Sequence, residues 1–260
     1  DSRGSSARRA TRSGAETEVV AGRNAVLEAL RAGISASAVY VATRVDADDR
    51  VKEILRTASA RGLNLMEVTR PELDRLAGGA AHQGVAMQVP PHPYVEPEDL
   101  LAAAEEAGRA PLVVALDGVT DPRNLGAVLR SAAAVGADGV LIPERRSAGV
   151  TAAAWKVSAG AAARVPVARV TNLVRALTGL KEAGCFVVGL DGAATGDIGA
   201  LDLATEPLVL VAGSEGKGLS RLVRETCDAL AGIPISDAAE SLNAAVATGI
   251  ALYEVRRQRG

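Results

Sequence analysis

Residues 112–130 of this 260-residue chain read LVVALDGVTDPRNLGAVLR, which is an apolar strand, a polar loop and the start of a helix. A short apolar run that ends in turn residues is typical of a strand buried on both faces of a parallel sheet. The same order recurs along the rest of the chain, and it predicts an α/β domain with a mostly parallel sheet. The predicted strands span 112–116, 138–142, 186–190, 207–211 and 231–235, and the predicted helices span 124–135, 151–161, 171–183, 220–228 and 241–257.

The loops after these strands are where a ligand is expected, because open parallel sheets bind ligands beyond the carboxyl ends of their strands. Three of the loops are rich in Gly, Asn, Ser and charged residues. The first carries Asn124 and Arg130, the second is AGSEGKGLS at 212–220, and the third is IPISDAAESLN at 233–243. Taken singly, Asn124, Ser241 and Asn243 are equally typical of helix caps.

Two common nucleotide-binding fingerprints are missing from the sequence. Neither G-x-x-x-x-G-K-[ST] nor G-x-G-x-x-G follows a strand, although the 212–220 loop superficially resembles the former. The sequence therefore disfavours kinases, GTPases and dinucleotide-dependent enzymes.

The three loops together resemble a known family. In sequence order, N-x-G-x-x-x-R at 124–130, G-S-E-G-K-G at 213–218 and I-P-I-x(5)-S-L-N at 233–243 are similar to the three signature motifs of the SpoU (TrmH-like) RNA 2′-O-ribose methyltransferases. The similarity runs through about residues 111–258. It implies a SPOUT-type α/β methyltransferase domain with a C-terminal trefoil knot, S-adenosyl-L-methionine as the cofactor and no metal. It also implies a homodimer that completes the active site.

The resemblance also implies site residues by position. The catalytic set is Arg130, Asn124, Glu215, Asn243 and Ser241. The cofactor-binding set is Gly213, Ile233, Leu242, Leu190, Gly192, Gly218 and Ile235. For the central arginine two roles stay open: a general base, or a cation that stabilises the developing alkoxide and grips the adjacent phosphate while water takes the proton. Guanidinium pKa values above about 12 make the first role costly.

The first half of the chain extends the resemblance. GRNAVLEAL at 22–30 and HQGV at 82–85 are similar to the opening and closing motifs of the small L30e-like α/β substrate-binding domain found in the RlmB-like branch. We predict a disordered basic tail at 1–16, this domain at 17–90, a Pro-rich linker at 91–110 and the methyltransferase domain at 111–260. Candidate RNA contacts lie in or near the domain's loops, although the histidine is also compatible with a structural role. These candidates are Arg23, Asn24, Arg44, His82 and Gln83.

The predicted substrate follows from this branch. Its members typically methylate a guanosine of 23S rRNA, so that is the expected target. The alternatives are an adenosine of 23S rRNA, as in a thiopeptide-resistance relative, a tRNA, or a non-catalytic RNA-binding or ribosome-assembly role. The last helix carries an apolar stripe that suits a homodimer contact or plain core packing. The stripe consists of Leu242, Val246, Ile250 and Leu252.

Composition narrows the mode of RNA binding. The net charge is −2 and aromatic residues make up only 2% of the chain, so general coating of nucleic acid and base stacking on aromatic platforms are both disfavoured. RNA is therefore expected to be held through phosphates, polar loops and shape. The arginines of the tail suit weak attraction to phosphates or a solubilising role.

The same composition bears on metals and location. Two cysteines far apart and two histidines give no zinc-site cluster. The sequence shows neither a membrane-spanning run nor a signal-peptide core, so we predict a cytoplasmic protein with no membrane partner. The chain begins at Asp1 rather than Met, so further residues are expected upstream.

Overall fold

A computed structural model describes residues 17–236 and 239–260. The predicted basic tail at 1–16 lies outside the described residues. The chain divides into two compact units: the first comprises residues through 26 together with 35–95, and the second comprises 27–34 and 96–260. In the described part of the chain, no helix is both long and apolar enough to cross a membrane.

The first unit is a four-stranded sheet with helices, in agreement with the predicted small α/β domain. Its elements in chain order are β1 (Glu18–Ala21), α1 (Arg23–Arg31, which runs on into the second unit), β2 (Ala38–Ala42), α2 (Asp49–Ala60), β3 (Leu65–Val68), α3 (Arg70–Leu76) and β4 (Val85–Val89). The strand order is β1-β4-β2-β3, with only β2 and β3 parallel. Strand β1 was not predicted as a separate element.

Local sequence explains where the helices of the first unit begin. The Asp48 side chain caps α2 by accepting from the Val51 backbone N–H at 3.0 Å. Thr69 and Glu72 form a capping box at the start of α3. Both helices then bury apolar side chains, Leu73 of α3 in one cluster with Ala42 and Ala86 of the sheet.

The second unit contains a seven-stranded sheet that is parallel throughout, in the order β7-β6-β5-β10-β8-β11-β9. The strands are β5 (Leu112–Asp117), β6 (Gly139–Pro143), β7 (Val167–Val170), β8 (Phe186–Leu190), β9 (Gly196–Asp197), β10 (Leu208–Gly213) and β11 (Ala229–Gly232). The helices are α4 (Asp99–Glu106), α5 (Pro122–Val135), α6 (Ala152–Val157), α7 (Leu173–Glu182), α8 (Arg221–Thr226) and α9 (Ala244–Arg259). The central strands β5 and β10 are buried along almost their whole length, as their continuous apolar sequences require.

A late strand is inserted between two earlier strands of this sheet. Strand β11 lies between β8 and β9, although β8 and β9 follow each other in sequence. At the end of β11, a Cβ on Gly232 would lie 3.3–3.6 Å from the carbonyl oxygens of Asp191, Ala194 and Gly196, which lie in the connection after β8 and at the start of β9. This strand order is compatible with the predicted trefoil knot.

Several predicted boundaries differ from the structure. Residues 91–110 are not only a linker: they contain α4, whose Leu100 is buried and packs against Gly139 of β6. Proline density at 90–97 led to the linker prediction, but the apolar spacing directly after it forms a helix. The last predicted strand lies two to three residues earlier, at 229–232, and β7 and β9 were not predicted. Helix α6 ends at Val157 rather than 161, and α9 begins after Asn243 rather than at 241.

Candidate active site

Two of the three sequence loops, 212–220 and 233–243, and the loop after β8 meet at one edge of the second unit's sheet. Strands β10, β8 and β11 are adjacent and parallel, so the loops after Gly213, Leu190 and Gly232 leave from the same edge. They enclose a cleft of about 410 Å³, a size typical of small-molecule sites. Every residue predicted to bind the cofactor lines it, namely Leu190, Gly192, Gly213, Gly218, Ile233, Ile235 and Leu242.

The loop after β10 forms one wall and is closed on itself. Ser214 N–H donates to the Gly218 carbonyl at 3.2 Å, and Gly218 N–H donates to the Ser214 carbonyl at 2.9 Å. This closure brings the backbone of Gly218 against Gly213, where an added Cβ would lie 2.1 Å from the Gly218 carbonyl carbon. Only glycine therefore fits at 213 while the loop keeps this shape.

Two further contacts hold the C-terminal end of that loop in place. The Asp117 carboxylate, at the end of β5, accepts from Ser220 N–H at 2.6 Å, directly after the loop. Leu219 and Cys227 pack against Gly189, where a Cβ would meet both at under 3 Å. Burial raises the pKa of the Cys227 thiol to about 11, with the nearby Asp228 adding to the shift. Cys227 is therefore a protonated packing residue at neutral pH and not a nucleophile.

Three of the predicted catalytic residues form one hydrogen-bonded cluster. Asn124 at the start of α5 donates through Nδ2 to Glu215 Oε1 at 3.0 Å. Asn243 Nδ2 donates to Asn124 Oδ1 at 3.1 Å and also to Glu215 Oε1. Asn243 Oδ1 meanwhile caps α9 by accepting from Ala245 and Val246 N–H, so capping and clustering are compatible. The three sequence loops thus converge, although 119 residues separate the two asparagines.

The other two predicted catalytic residues are placed differently. Ser241 lines the cleft, as does Glu215. Arg130 does not line it, and its side chain is exposed on α5. Six residues separate Arg130 from Asn124, which places them about 120° apart around the helix axis. Arg130 therefore lies on a different face of α5 from Asn124.

The cleft also holds charged residues that the sequence reasoning did not select. Asp191, directly after β8, forms an ion pair with Arg224 of α8, and both line the cleft. Lys217 and Glu240 line it as well. Asp191 lies between the predicted cofactor residues Leu190 and Gly192, but nothing in the sequence indicated its pairing with Arg224.

These walls suit S-adenosylmethionine, which combines an apolar and aromatic body with two cationic groups and one carboxylate. Leucine and isoleucine side chains, glycine backbone and charges of both signs line the cleft. Among residues 17–236 and 239–260, no group of three or more His, Cys, Asp or Glu side chains could hold a metal ion.

The residues predicted to contact RNA lie in the first unit, and several are already engaged there. His82 Nδ1 accepts from Gly84 N–H at 2.9 Å while Nε2 lies 2.8 Å from the Asp74 carboxylate, an arrangement that suits the structural alternative for this histidine. Arg23 pairs with Asp48 at 3.0 Å and donates to the Gln83 carbonyl at 3.0 Å. Arg44 lies apart from these, in a turn with φ of 58°, and lines a different groove beside β3.

Comparison with known proteins agrees with this geometry. The SpoU rRNA Methylase family model matches residues 111–253, and a model for RNA 2′-O ribose methyltransferase substrate binding matches 19–95. A Mycolicibacterium vanbaalenii protein named as an uncharacterized tRNA/rRNA methyltransferase is 56% identical over 94% of this chain and 77% of its own length.

Two solved structures are similar to this chain over nearly its whole length. The SpoU methyltransferase AviRb from Streptomyces viridochromogenes, in complex with AdoMet, is 27% identical with a TM-score of 0.63, covering 94% of this chain and 90% of its own. An AdoMet-bound rRNA methyltransferase from Sinorhizobium meliloti is 28% identical with a TM-score of 0.61, covering 93% and 87%. With its matched motifs converging on one cleft, the chain belongs to the SpoU family and is an S-adenosylmethionine-dependent RNA methyltransferase.

Proposed function

We propose that this methyltransferase acts on a ribose 2′-hydroxyl of 23S rRNA, with a guanosine as the acceptor nucleotide. The observation that carries the proposal is the Asn124–Glu215–Asn243 cluster beside the cleft. A carboxylate held by two amides can orient a hydroxyl group, and none of the three side chains offers a stacking surface for methylation of a base. The match to a 2′-O ribose methyltransferase substrate-binding model and the similarity to an rRNA methyltransferase support the RNA target.

The protein's contribution to such a reaction is positioning and electrostatics. S-adenosylmethionine supplies an already activated methyl group, so no metal is needed. The residues lining the cleft hold the donor, and the polar cluster orients the ribose hydroxyl toward it. Arg130 stabilises the alkoxide that develops as water takes the proton, and it grips the neighbouring phosphate.

Arg130 can take that role only if it reaches a cleft, and we infer that it does so in a homodimer. Val246, Ile250 and Tyr253 follow one another at helical spacing on α9 and are 50%, 37% and 60% exposed. They line an apolar groove of about 700 Å³ beside α5, bordered by Asn124 and Asn243. The two leucines of the apolar stripe predicted from the sequence do not line this groove. Leu252 lies in the core, and Leu242 lines the cleft. A second copy covering this groove would deliver its Arg130 next to the cluster.

Val246→Asp should convert the dimer to a monomer, because a carboxylate would be buried against an apolar surface. Sedimentation velocity should show the mass halved, and methyl transfer should fall by about 100-fold or more. Cofactor binding should stay within about threefold of the native value, since Val246 does not line the cleft. A dimeric and active variant would contradict the assignment of this surface.

Asp117→Ala should weaken S-adenosylmethionine binding by about tenfold, because a charge-assisted hydrogen bond holding the loop is lost. Asp117→Asn retains an acceptor for Ser220 N–H and should restore most of the affinity. Isothermal titration calorimetry measures the affinity of both variants for S-adenosylmethionine. Native affinity in the alanine variant would show that Asp117 does not position the loop.

The function itself is tested by transfer of labelled methyl to unmodified transcripts of 23S rRNA and tRNA. We expect label in 23S rRNA at one nucleotide, located by primer extension at low nucleotide concentration, and resistance of the adjacent phosphodiester bond to alkali. Label released as a methylated base would exclude ribose methylation. Label found only in tRNA, or at an adenosine, would instead support the alternative targets of the family.

A further inference from the structure

A hydrogen-bonded network in the first unit contains two arginines, Arg23 and Arg50, which differ in how exposed they are. Arg23 has only 17% of its side chain exposed, and its guanidinium is taken up by the Asp48 carboxylate and the Gln83 carbonyl. It links the start of α1, the cap of α2 and the loop before β4. Arg23 is therefore occupied in holding these three segments together.

Arg50 is bound in the same network but remains accessible. Its Nε and Nη2 lie 3.2 and 3.1 Å from Asp48 Oδ2, its Nη1 donates to Asn24 Oδ1 at 2.9 Å, and 51% of the side chain is exposed. A guanidinium carries five N–H donors, so two of them are not used by these partners. The group is thus fixed in place while keeping donors for a ligand.

The charge in this network is unbalanced. The Asp48 carboxylate forms an ion pair with both guanidinium groups. Its pKa is lowered to about 2, first by the Val51 backbone N–H and then by the two arginines, so it stays ionised. One negative charge against two positive charges leaves a net positive charge, and the exposed member of the pair is Arg50.

We propose that Arg50, which no sequence motif selected, binds a phosphodiester group of the substrate RNA, and that Arg23 is a positioning residue for that surface. A fixed, partly exposed guanidinium with two free donors suits the bidentate geometry of phosphate. The neighbouring Asn24 and Gln83 are exposed beside it. This inference rests on the proposed function only in taking RNA as the ligand.

The test compares Arg50→Ala with Arg56→Ala, which removes the same charge from an exposed position on the same helix about 120° away around its axis. Filter binding with a 23S rRNA transcript is measured between 50 and about 300 mM salt. We expect Arg50→Ala to weaken binding about tenfold at low salt and to lower the slope of log K against log salt by about 0.7–0.9. Arg56→Ala should change the RNA affinity and the salt slope by less than a third of these amounts.

Two further variants separate contact from structure. Arg50→Lys should keep the salt slope while losing part of the affinity, because charge is retained without the bidentate fork. Arg23→Ala should lower the melting temperature more than Arg50→Ala does. S-adenosylmethionine binding in the second unit should be native in every variant.

Equal affinity and slope for Arg50→Ala and Arg56→Ala would overturn the inference, as would an absence of RNA binding by the native protein. If the native protein methylates ribose while Arg50→Ala binds RNA normally, this inference fails and the proposed function stands. If binding depends on Arg50 but label enters a base, the proposed function fails and this inference stands.

Discussion

Gly213→Ala should reduce S-adenosylmethionine affinity by about 100-fold while leaving the chain folded. The added Cβ would lie 2.1 and 2.3 Å from the carbonyl carbon and oxygen of Gly218 and 2.5 Å from Leu219 N. All three are backbone atoms, so no side-chain rotation relieves the collision and the loop must move away. Overpacking of this kind costs about 1–3 kcal/mol, and here it falls on a wall of the cofactor cleft. Calorimetric titration with S-adenosylmethionine measures the loss.

Gly179→Ala is the matched control for that substitution. Gly179 lies inside α7, where a Cβ would meet nothing within 4 Å. Alanine there should raise the free energy of unfolding by about 0.5–1 kcal/mol through its higher helix propensity, with unchanged cofactor binding. Denaturant unfolding of both variants checks that Gly213→Ala remains cooperatively folded. Native cofactor affinity in Gly213→Ala would mean that the loop closure does not shape the cleft.

Much of the second unit's sheet follows from local sequence. Central strands such as β5 and β10 are buried on both faces, so their apolar runs are continuous and their ends are marked by turn residues. The edge strands β7 and β9 are short, and β9 is exposed, so their sequences lack the continuous apolar run that marks the central strands. Strand β11 was placed too late because its sequence, ALAG, is less apolar than the IPI that follows it.

The insertion of β11 between β8 and β9 was not predictable from periodicity. Whether β11 pairs beside β8 or beyond β9 depends on contacts between residues far apart in sequence, and no local pattern encodes that choice. Only the family resemblance predicted a knot. The same limit applies to the Asn124–Glu215–Asn243 cluster, because by local criteria the two asparagines are typical of helix caps and Glu215 is an ordinary loop residue.

In the first unit, the sequence does not show which of the loop side chains are already paired within the protein. Arg23 and His82 stand in loop positions that suggest contact with RNA, yet both are turned into the network that holds the loops. Their partners, Asp48 and Asp74, lie 25 and 8 residues away, and such pairing is visible only in the fold. The pairing of Arg50 with Asp48 and Asn24 likewise depends on the fold.

Arg130→Ala should lower the methyl-transfer rate by at least about 100-fold, as removal of one stabilising donor at a developing oxyanion does. Because Arg130 is exposed and lies outside the cleft, the melting temperature and the affinity for S-adenosylmethionine should stay native. Arg175→Ala, which removes an equal charge from an exposed position on α7, should be fully active. A methyl-transfer rate near the native value in Arg130→Ala would refute the role assigned to this residue.

A mixed dimer decides whether Arg130 serves its own cleft or its partner's. Glu215→Ala disables the cleft without removing a helix cap, since Glu215 is an exposed loop residue. A heterodimer of Arg130→Ala and Glu215→Ala protomers, isolated with two different affinity tags, combines two inactive chains. If Arg130 acts across the interface, one of its two sites contains native residues throughout, and the heterodimer should regain about half of the native rate. If Arg130 acts within its own chain, both sites lack an essential group and no activity returns, which would contradict the proposed arrangement of the active site.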